Sequence, residues 1–168
     1  MSLRSRTIFH LAAGALAAAA VLATPSAHAE GAGPFEILAG SWSGNGVINT
    51  SDGVHERVRC NAKYVSQSGG RSLGIDLRCA SDSYKVEFTS SIVLTGDALS
   101  GNWFESTRRV GGKISGRASG NQIDIRADGD TFTALLNVKT QGTHQTFSLS
   151  SPGAKLSQFS IALNRAAR

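Results

Sequence analysis

The sequence is 168 residues long and carries 17 Lys and Arg against 12 Asp and Glu, a formal net charge of +5. This length fits one domain with a sizeable core. A charge this small does not indicate nucleic acid as a partner, so the strongly basic nucleic-acid-binding proteins are excluded as a class.

The first 29 residues have the pattern of an export signal. Arg4 and Arg6 provide a short basic start, residues 8–22 form an apolar run, and Ala-His-Ala at 27–29 provides the small-x-small pattern that signal peptidase reads. The run is shorter and richer in alanine than the stretch of about 20 strongly apolar residues that spans a membrane. We therefore expect residues 1–29 to be a cleaved signal peptide.

The working protein is then residues 30–168, which we expect to form a single β-barrel domain in the periplasm or outside the cell. Removal of Arg4 and Arg6 leaves 15 basic residues against 12 acidic ones, a net charge of about +3. This weak charge and the compartment both argue against nucleic acid as a partner. No second hydrophobic stretch is long enough to cross a membrane, so no transmembrane segment is predicted after processing.

Beyond Gly40, apolar residues alternate with polar ones in short segments, which is typical of β-strands with one buried face. The segments with the clearest alternation are residues 73–79, 84–94, 123–127, 132–138 and 159–165. Turn signals separate them at Asp52-Gly53, Gly69-Gly70, Gly96-Asp97, Gly111-Gly112, Asp128-Gly129, Gln141-Gly142 and Pro152-Gly153. The pattern predicts an all-β fold, an antiparallel meander of 8–10 strands closed into a barrel. A sandwich is the alternative.

The two cysteines, Cys60 and Cys79, are expected to form a disulfide in an oxidising compartment. If Gly69-Gly70 is a two-residue turn, counting outward along the hairpin places Cys60 opposite Cys79. That turn would make them a hydrogen-bonded pair, in which side chains lie further apart than in a non-hydrogen-bonded pair. A bulge or a wider loop near residues 66–70 is therefore the alternative.

Gly-Ser-Trp at residues 40–42 begins the first predicted strand, and Leu-Asn-Arg at 163–165 ends the last one. This combination resembles the calycin superfamily of small barrels, which includes the lipocalins and avidins. The resemblance implies that Trp42 packs against Arg165 at the closed end of the barrel, a cation–π contact of about 0.5–2 kcal/mol. The other lipocalin motifs and the biotin-contacting pattern of avidins are absent, so the resemblance implies no particular ligand.

A second, fainter resemblance is to the small secreted barrels that inhibit bacterial metalloproteases. Those proteins also combine a signal peptide, an early tryptophan and one disulfide. Their inhibitory segment is an extended N-terminal trunk, which corresponds here to residues 30–34. The sequence of that segment, Glu-Gly-Ala-Gly-Pro, has no distinguishing chemistry.

The chain contains no recognisable catalytic or metal-binding motif. After cleavage only His55 and His144 remain, far apart and without metal-ligand spacing. In Gly-Ser-Trp-Ser-Gly at residues 40–44, Trp stands where a hydrolase has its nucleophile. We therefore expect no enzymatic activity, no metal and no cofactor.

Polar residues on inward faces are the candidates for ligand contact. Strand parity places Glu56 on the face of Val58 and Cys60, and Glu105 on the face of Trp103. Inside a cavity these carboxylates would need partners or have raised pKa values. Wetted rim positions, or a bulge that reverses the parity, are the alternative. The predicted ligand-binding residues are Glu56, Tyr64, Tyr84, Trp103 and Glu105.

Outward positions on the disulfide hairpin form the densest basic face of the chain, comprising Arg57, Arg59, Lys63, Arg71 and Arg78. We call these five residues the basic patch. Such a face is suited to anionic lipid, lipopolysaccharide or an acidic partner, and it equally fits a solvated surface.

These patterns favour an exported, non-enzymatic barrel that binds a small apolar or amphipathic ligand or a cell-envelope component. A protein-interaction barrel, such as a periplasmic protease inhibitor, is the alternative. The state of the interior discriminates between them, because an interior filled by aromatic side chains leaves no room for a ligand. The aromatic residues that could fill it are Phe88, Trp103, Phe132 and Phe147.

Overall fold

The computed structural model describes residues 33–167, so the predicted signal peptide, residues 1–29, lies outside the described residues. The described part of the chain contains two short 3-10 turns, Glu36–Leu38 and Ser68–Gly70, and ten strands. None of its helical segments is long and apolar enough to span a bilayer. The strands are β1 (Gly40–Thr50), β2 (His55–Gln67), β3 (Ser72–Ala80), β4 (Lys85–Thr95), β5 (Ala98–Glu105), β6 (Val110–Ser119), β7 (Gln122–Gly129), β8 (Thr133–Gln141), β9 (His144–Ser150) and β10 (Leu156–Arg165).

The ten strands form one closed antiparallel barrel, in which each strand pairs with its sequence neighbours and β1 pairs with β10. The predicted meander barrel is confirmed, and the sandwich alternative is wrong. The predicted alternation is visible in β4, where Val86 and Ile92 are buried while Lys85 and Ser91 are exposed. Closure leaves no strand edge unpaired, which prevents edge-to-edge association of this sheet.

Cys60 on β2 and Cys79 on β3 lie directly opposite each other and form the predicted disulfide. The turn between these strands differs from the two-residue turn at Gly69-Gly70, because the strands end at Gln67 and Ser72 with four residues between them. The Cα atoms of the cysteines are 4.1 Å apart, a separation typical of a non-hydrogen-bonded pair. The wider loop therefore keeps Cys60 opposite Cys79, as predicted, and makes them a non-hydrogen-bonded pair, in which side chains approach more closely.

The 3-10 turn Glu36–Leu38 caps one end of the barrel. Trp42 is 1% exposed, and its indole N–H donates a 2.8 Å hydrogen bond to the carbonyl oxygen of Leu38. Arg165 lies opposite Trp42 in the β1–β10 register, with its guanidinium carbon 4.6 Å from the centre of the indole ring. It also donates a 2.9 Å hydrogen bond to the carbonyl oxygen of Ala39. These two side chains therefore connect the cap, the first strand and the last strand.

Glycines in β1 allow the backbone to follow the tight closure of the barrel. A Cβ atom on Gly44 would lie 1.9 Å from the carbonyl oxygen of Ala162 on β10, so any side chain there would push the closing strands apart. Gly40, the glycine of the Gly-x-Trp motif, has a φ of 128°, a conformation that favours glycine. Gly44 thus serves the close approach of two strands rather than enlarging the interior.

The buried apolar side chains form two clusters inside the barrel. One cluster comes from β1, β2 and β10 with parts of β3 and β4, and includes Trp42, Val58 and Phe159. The other comes from the cap and from β3 to β8, and includes Phe35 and Trp103. Partly buried residues pack against both clusters, so the core surrounds an interior space.

We predict that Arg165→Ala lowers the free energy of unfolding by about 1–3 kcal/mol, because it removes both the cation–π contact with Trp42 and a charged hydrogen bond to Ala39. Urea unfolding followed by tryptophan fluorescence measures the change. Arg117→Ala is the control, since it removes only an exposed ion pair with Asp97 at the same end of the barrel and should have little effect. Equal losses in the two variants would contradict the capping role of Arg165.

Candidate functional site

A cavity of about 440 Å³ lies inside the barrel. It extends from Phe35 and Leu38 at the capped end to four loops at the opposite end. We call those loops, residues 81–84, 106–109, 130–132 and 151–155, the mouth. Inward side chains of most strands form the wall, and those that are partly exposed to the cavity include Ile75, Ile123, Leu136, Val138 and Leu149.

The aromatic side chains that could have filled the interior pack against one another along the wall. Trp103 stacks on Phe88 with ring centres 6.1 Å apart and lies 5.7 Å from the ring of Phe132. Phe147 makes an edge-on contact with Phe159 at 5.9 Å. All five rings line the cavity and leave its centre open. The interior is therefore hollow.

The polar side chains described next belong to the cavity wall, and each is hydrogen-bonded within the protein. Tyr64 donates a 2.7 Å hydrogen bond to Gln145, which in turn donates to Thr140. Ser90 donates to the carbonyl oxygen of Asn102, and the indole N–H of Trp103 donates to that of Asp128. The interior therefore presents a mainly apolar surface to a ligand.

Two of the predicted ligand-binding residues line the cavity: Tyr64 lies near the capped end, and Trp103 lies near the mouth, where it packs against Phe132. Burial raises the pKa of the Tyr64 phenol, so the hydroxyl stays protonated and continues to donate to Gln145. Gln145 was not predicted, although alternation with Phe147 and Leu149 along β9 places it on the inward face. It is 2% exposed, which makes it a buried polar group that depends on Tyr64 and Thr140 for its hydrogen bonds.

Glu105 also lines the cavity, but its carboxylate is occupied by neighbours and organises the β5–β6 loop. It accepts hydrogen bonds from the backbone N–H groups of Glu87, Thr107 and Arg108, from the Thr107 hydroxyl, and from the Arg108 guanidinium. Burial alone would raise the pKa of Glu105, but these hydrogen bonds outweigh burial and hold the pKa below its ordinary value. Its side-chain partners are therefore Thr107 and Arg108.

Tyr84 lies at the mouth beneath Arg108, whose guanidinium carbon is 4.7 Å from the centre of the phenol ring. Arg108 also donates a 3.2 Å hydrogen bond to the carbonyl oxygen of Lys85. Lys155 reaches the cavity from the β9–β10 loop and is exposed. Arg108 and Lys155 were not predicted as site residues, because loops show no regular alternation of apolar and polar residues that would indicate which side chains face the cavity.

Glu56 does not line the cavity. It is half-buried between the exposed His55 and Arg57, so the predicted parity holds, but its place at the end of β2 corresponds to the rim alternative. It lies at the second position of β2, where its carboxylate accepts hydrogen bonds from the backbone N–H and hydroxyl of Ser83 in the β3–β4 loop. Hydrogen bonds from Ser81 and Ser83 lower the pKa of Glu56. Parity thus predicts the face on which a side chain lies, but not whether that part of the strand borders the cavity.

The basic patch lies on the outer surface of the barrel, and all five of its residues are exposed. Arg78 pairs with Asp76 on the same strand, with the two side-chain atoms 3.1 Å apart. The patch is separate from the cavity, because none of its residues lines the cavity wall.

Within residues 33–167, no group of three or more His, Cys, Asp or Glu side chains is arranged to hold a metal ion. His55 and His144 lie on the surface, where each contacts an asparagine, Asn49 and Asn164 respectively. The arrangement that the described residues do provide is an apolar cavity with charged groups at its mouth.

No protein-family model matches the chain, and a comparison with curated protein sequences finds no match. The fold is similar to the crystal structure of Rv2717c from M. tuberculosis, with a TM-score of 0.64 and 16% sequence identity over 78% of this chain and 94% of that chain. It is also similar to the S-type phycobiliprotein lyase CPES from Guillardia theta, with a TM-score of 0.56 and 10% identity over 80% and 91% of the respective chains. These likenesses concern the fold alone and fit a calycin-like barrel.

We predict that Glu105→Gln lowers the free energy of unfolding at pH 7 by about 1–3 kcal/mol, because a neutral amide replaces a carboxylate that accepts charged and backbone hydrogen bonds. The lowered pKa means that this contribution is complete above the ordinary value of 4.5 and declines as pH falls through the pKa of the folded state. The difference from the unmodified protein should therefore shrink in acid. Denaturant unfolding at several pH values measures it, with Glu36→Gln as a control on an exposed carboxylate.

Proposed function

We propose that the protein is an exported, non-enzymatic barrel that binds a small apolar or amphipathic ligand inside its cavity. The observation that carries this proposal is the hollow interior of about 440 Å³. This volume falls within the range of about 300–1,000 Å³ that is typical of small-molecule sites. Cell-envelope components are a suitable source of such ligands for an exported protein.

The size of the cavity limits the ligand to a single short chain or a small ring system. A methylene group takes up about the same volume as a water molecule in the liquid, ~30 Å³. The cavity therefore holds about ten to fifteen carbon atoms. Burial of each methylene group contributes about 0.8 kcal/mol, so a chain of this length offers enough transfer free energy for binding without any polar contact inside.

Hydrogen bonding inside the cavity supports a binding protein rather than an enzyme. The phenol of Tyr64 and the amide of Gln145 bond to each other, and the Glu105 carboxylate is taken up by its own loop. No nucleophile and base are paired among the described residues of the wall, as covalent catalysis by a side chain would need. The Cys60–Cys79 disulfide supports an oxidising compartment, and hence export.

The alternative of a protease-inhibitor barrel has no comparable support. Such a function would rest on the N-terminal segment, and the end of that segment is anchored to the barrel. Gly33 donates a 2.9 Å hydrogen bond to the carbonyl oxygen of Gly69, and Phe35 is fully buried. These contacts favour a role for residues 33–35 in sealing the capped end.

We predict that Leu136→Trp weakens binding of the neutral fluorescent probe N-phenyl-1-naphthylamine by about tenfold or more, because the larger side chain takes up cavity volume. Leu135→Trp is the matched control, since Leu135 is adjacent on β8 but 56% exposed on the outer surface. Fluorescence titration gives both affinities. Undetectable binding to the unmodified protein, or equal affinities for both variants, would contradict binding inside the barrel.

A further inference from the structure

We propose that the ligand is a single-chain amphipath with one anionic head group, held at the mouth by Lys155 and Arg108 while its chain fills the cavity. This inference rests on the proposed function and adds the chemical class of the ligand. It depends on the different character of the two ends of the cavity. The lining of the deep end is apolar apart from Tyr64 and Gln145, which are hydrogen-bonded to each other, whereas two cations, Arg108 and Lys155, line the cavity at the mouth.

The deep end of the cavity is suited to a hydrocarbon chain. Phe35 and Leu38 close this end, and the nearby Tyr64 hydroxyl is engaged with Gln145. A second polar group on the ligand would have to lie among mainly apolar side chains, beside a tyrosine and a glutamine that are already hydrogen-bonded to each other. Burial of an unpaired polar group is unfavourable, so the ligand is expected to carry its polar atoms at one end only.

Three charged residues line the cavity, namely Glu105, Arg108 and Lys155. Glu105 is 7% exposed and pairs with Arg108 across 3.3 Å, so its negative charge is balanced and faces the loop. Lys155 makes no ion pair within 4 Å of any acidic side chain between residues 33 and 167. The pKa of Asp52 is lowered mainly by a hydrogen bond from the hydroxyl of Thr50, and the charge of Lys155 makes a smaller contribution. Among the charged residues of the described chain that line the cavity, Lys155 is therefore the one without an ion-pair partner.

Arg108 is held ready to donate further hydrogen bonds. Its Nη1 atom donates hydrogen bonds to Glu105, Thr107 and the carbonyl oxygen of Lys85. Its guanidinium carbon lies over the ring of Tyr84. No described residue accepts a hydrogen bond from Nε or Nη2, and the side chain is 42% exposed. A planar guanidinium fixed in this way presents its remaining N–H groups to a carboxylate, phosphate or sulfate oxygen.

The two cations lie on different loops of the mouth. Arg108 is on the β5–β6 loop and Lys155 is on the β9–β10 loop, and the β7–β8 loop lies between them around the rim. A chain that enters the cavity must pass between these loops. Its head group then remains at the rim, where it is partly solvated and attracted by the positive charge.

Three probes with the same twelve-carbon chain test the inference: dodecanoate, 1-dodecanol and dodecyltrimethylammonium. Each is titrated by calorimetry at pH 8, the two ions below their micellar concentrations and the alcohol below its solubility limit. Dodecanoate should bind about five- to twentyfold more tightly than 1-dodecanol, because a charge-assisted contact at a partly exposed site is stronger than a neutral one. The cationic probe should bind more weakly than the alcohol. Added salt should reduce the preference for dodecanoate.

Lys155→Gln should remove most of this preference, because it should lower the affinity for dodecanoate far more than the affinity for 1-dodecanol. Lys139→Gln removes the same charge from an exposed position on β8 and should change neither affinity. Arg108→Gln is the second variant, with circular dichroism to verify the fold because Arg108 also contacts Glu105. Lys155→Glu should reverse the order of the charged probes.

Equal binding of all three probes, or equal effects of Lys155→Gln and Lys139→Gln, would overturn the head-group inference and leave the proposed function intact. If no probe binds and N-phenyl-1-naphthylamine also fails to bind, the proposed function fails as well. A preference for dodecanoate that disappears in Lys155→Gln and persists in Lys139→Gln supports both.

Discussion

The pairing of β1 with β10 is the interaction on which the rest of the structure depends. It closes the sheet, and it brings Trp42 opposite Arg165 at the end where the chain enters the barrel. The indole N–H of Trp42 donates a hydrogen bond to Leu38 in the 3-10 cap. The same residue therefore takes part both in closing the sheet and in closing the end of the barrel. Without that seal the interior would be open at both ends and would be filled by water rather than by an apolar ligand.

Ten strands enclose more space than the inward side chains occupy, because the diameter of a barrel grows with its strand number. The aromatic residues respond by stacking along the wall, as Trp103 does on Phe88 and Phe132, instead of meeting at the centre. Polar groups in the wall are bonded to one another, which keeps the interior dry enough to favour hydrocarbon. The charges that remain at the mouth then distinguish one end of a ligand from the other.

Much of this fold could be predicted from the sequence, because a period of two along the strands and short turns between them leave few arrangements. The pairing of Cys60 with Cys79 followed from a count along the hairpin, even though the turn is two residues longer than expected. Parity gave the face of Glu56 but could not show that this end of β2 lies outside the cavity, beside the β3–β4 loop. Arg108 and Lys155 lie in loops without any periodic signal, and the hollow interior depends on the packing of all ten strands together. The two loop cations and the hollow interior could therefore be identified only from the structure.

The central claim is that a ligand binds inside the barrel and not on its surface. Methyl NMR of the protein titrated with 1-dodecanol tests this claim most directly, because methyl-bearing side chains lie both in the cavity wall and on the outer surface. We predict shifts at Ile75, Leu136 and Leu149, which line the cavity, and none at the exposed Val54, Val93 and Leu135. Shifts confined to the exposed methyl groups, with none inside, would contradict the account.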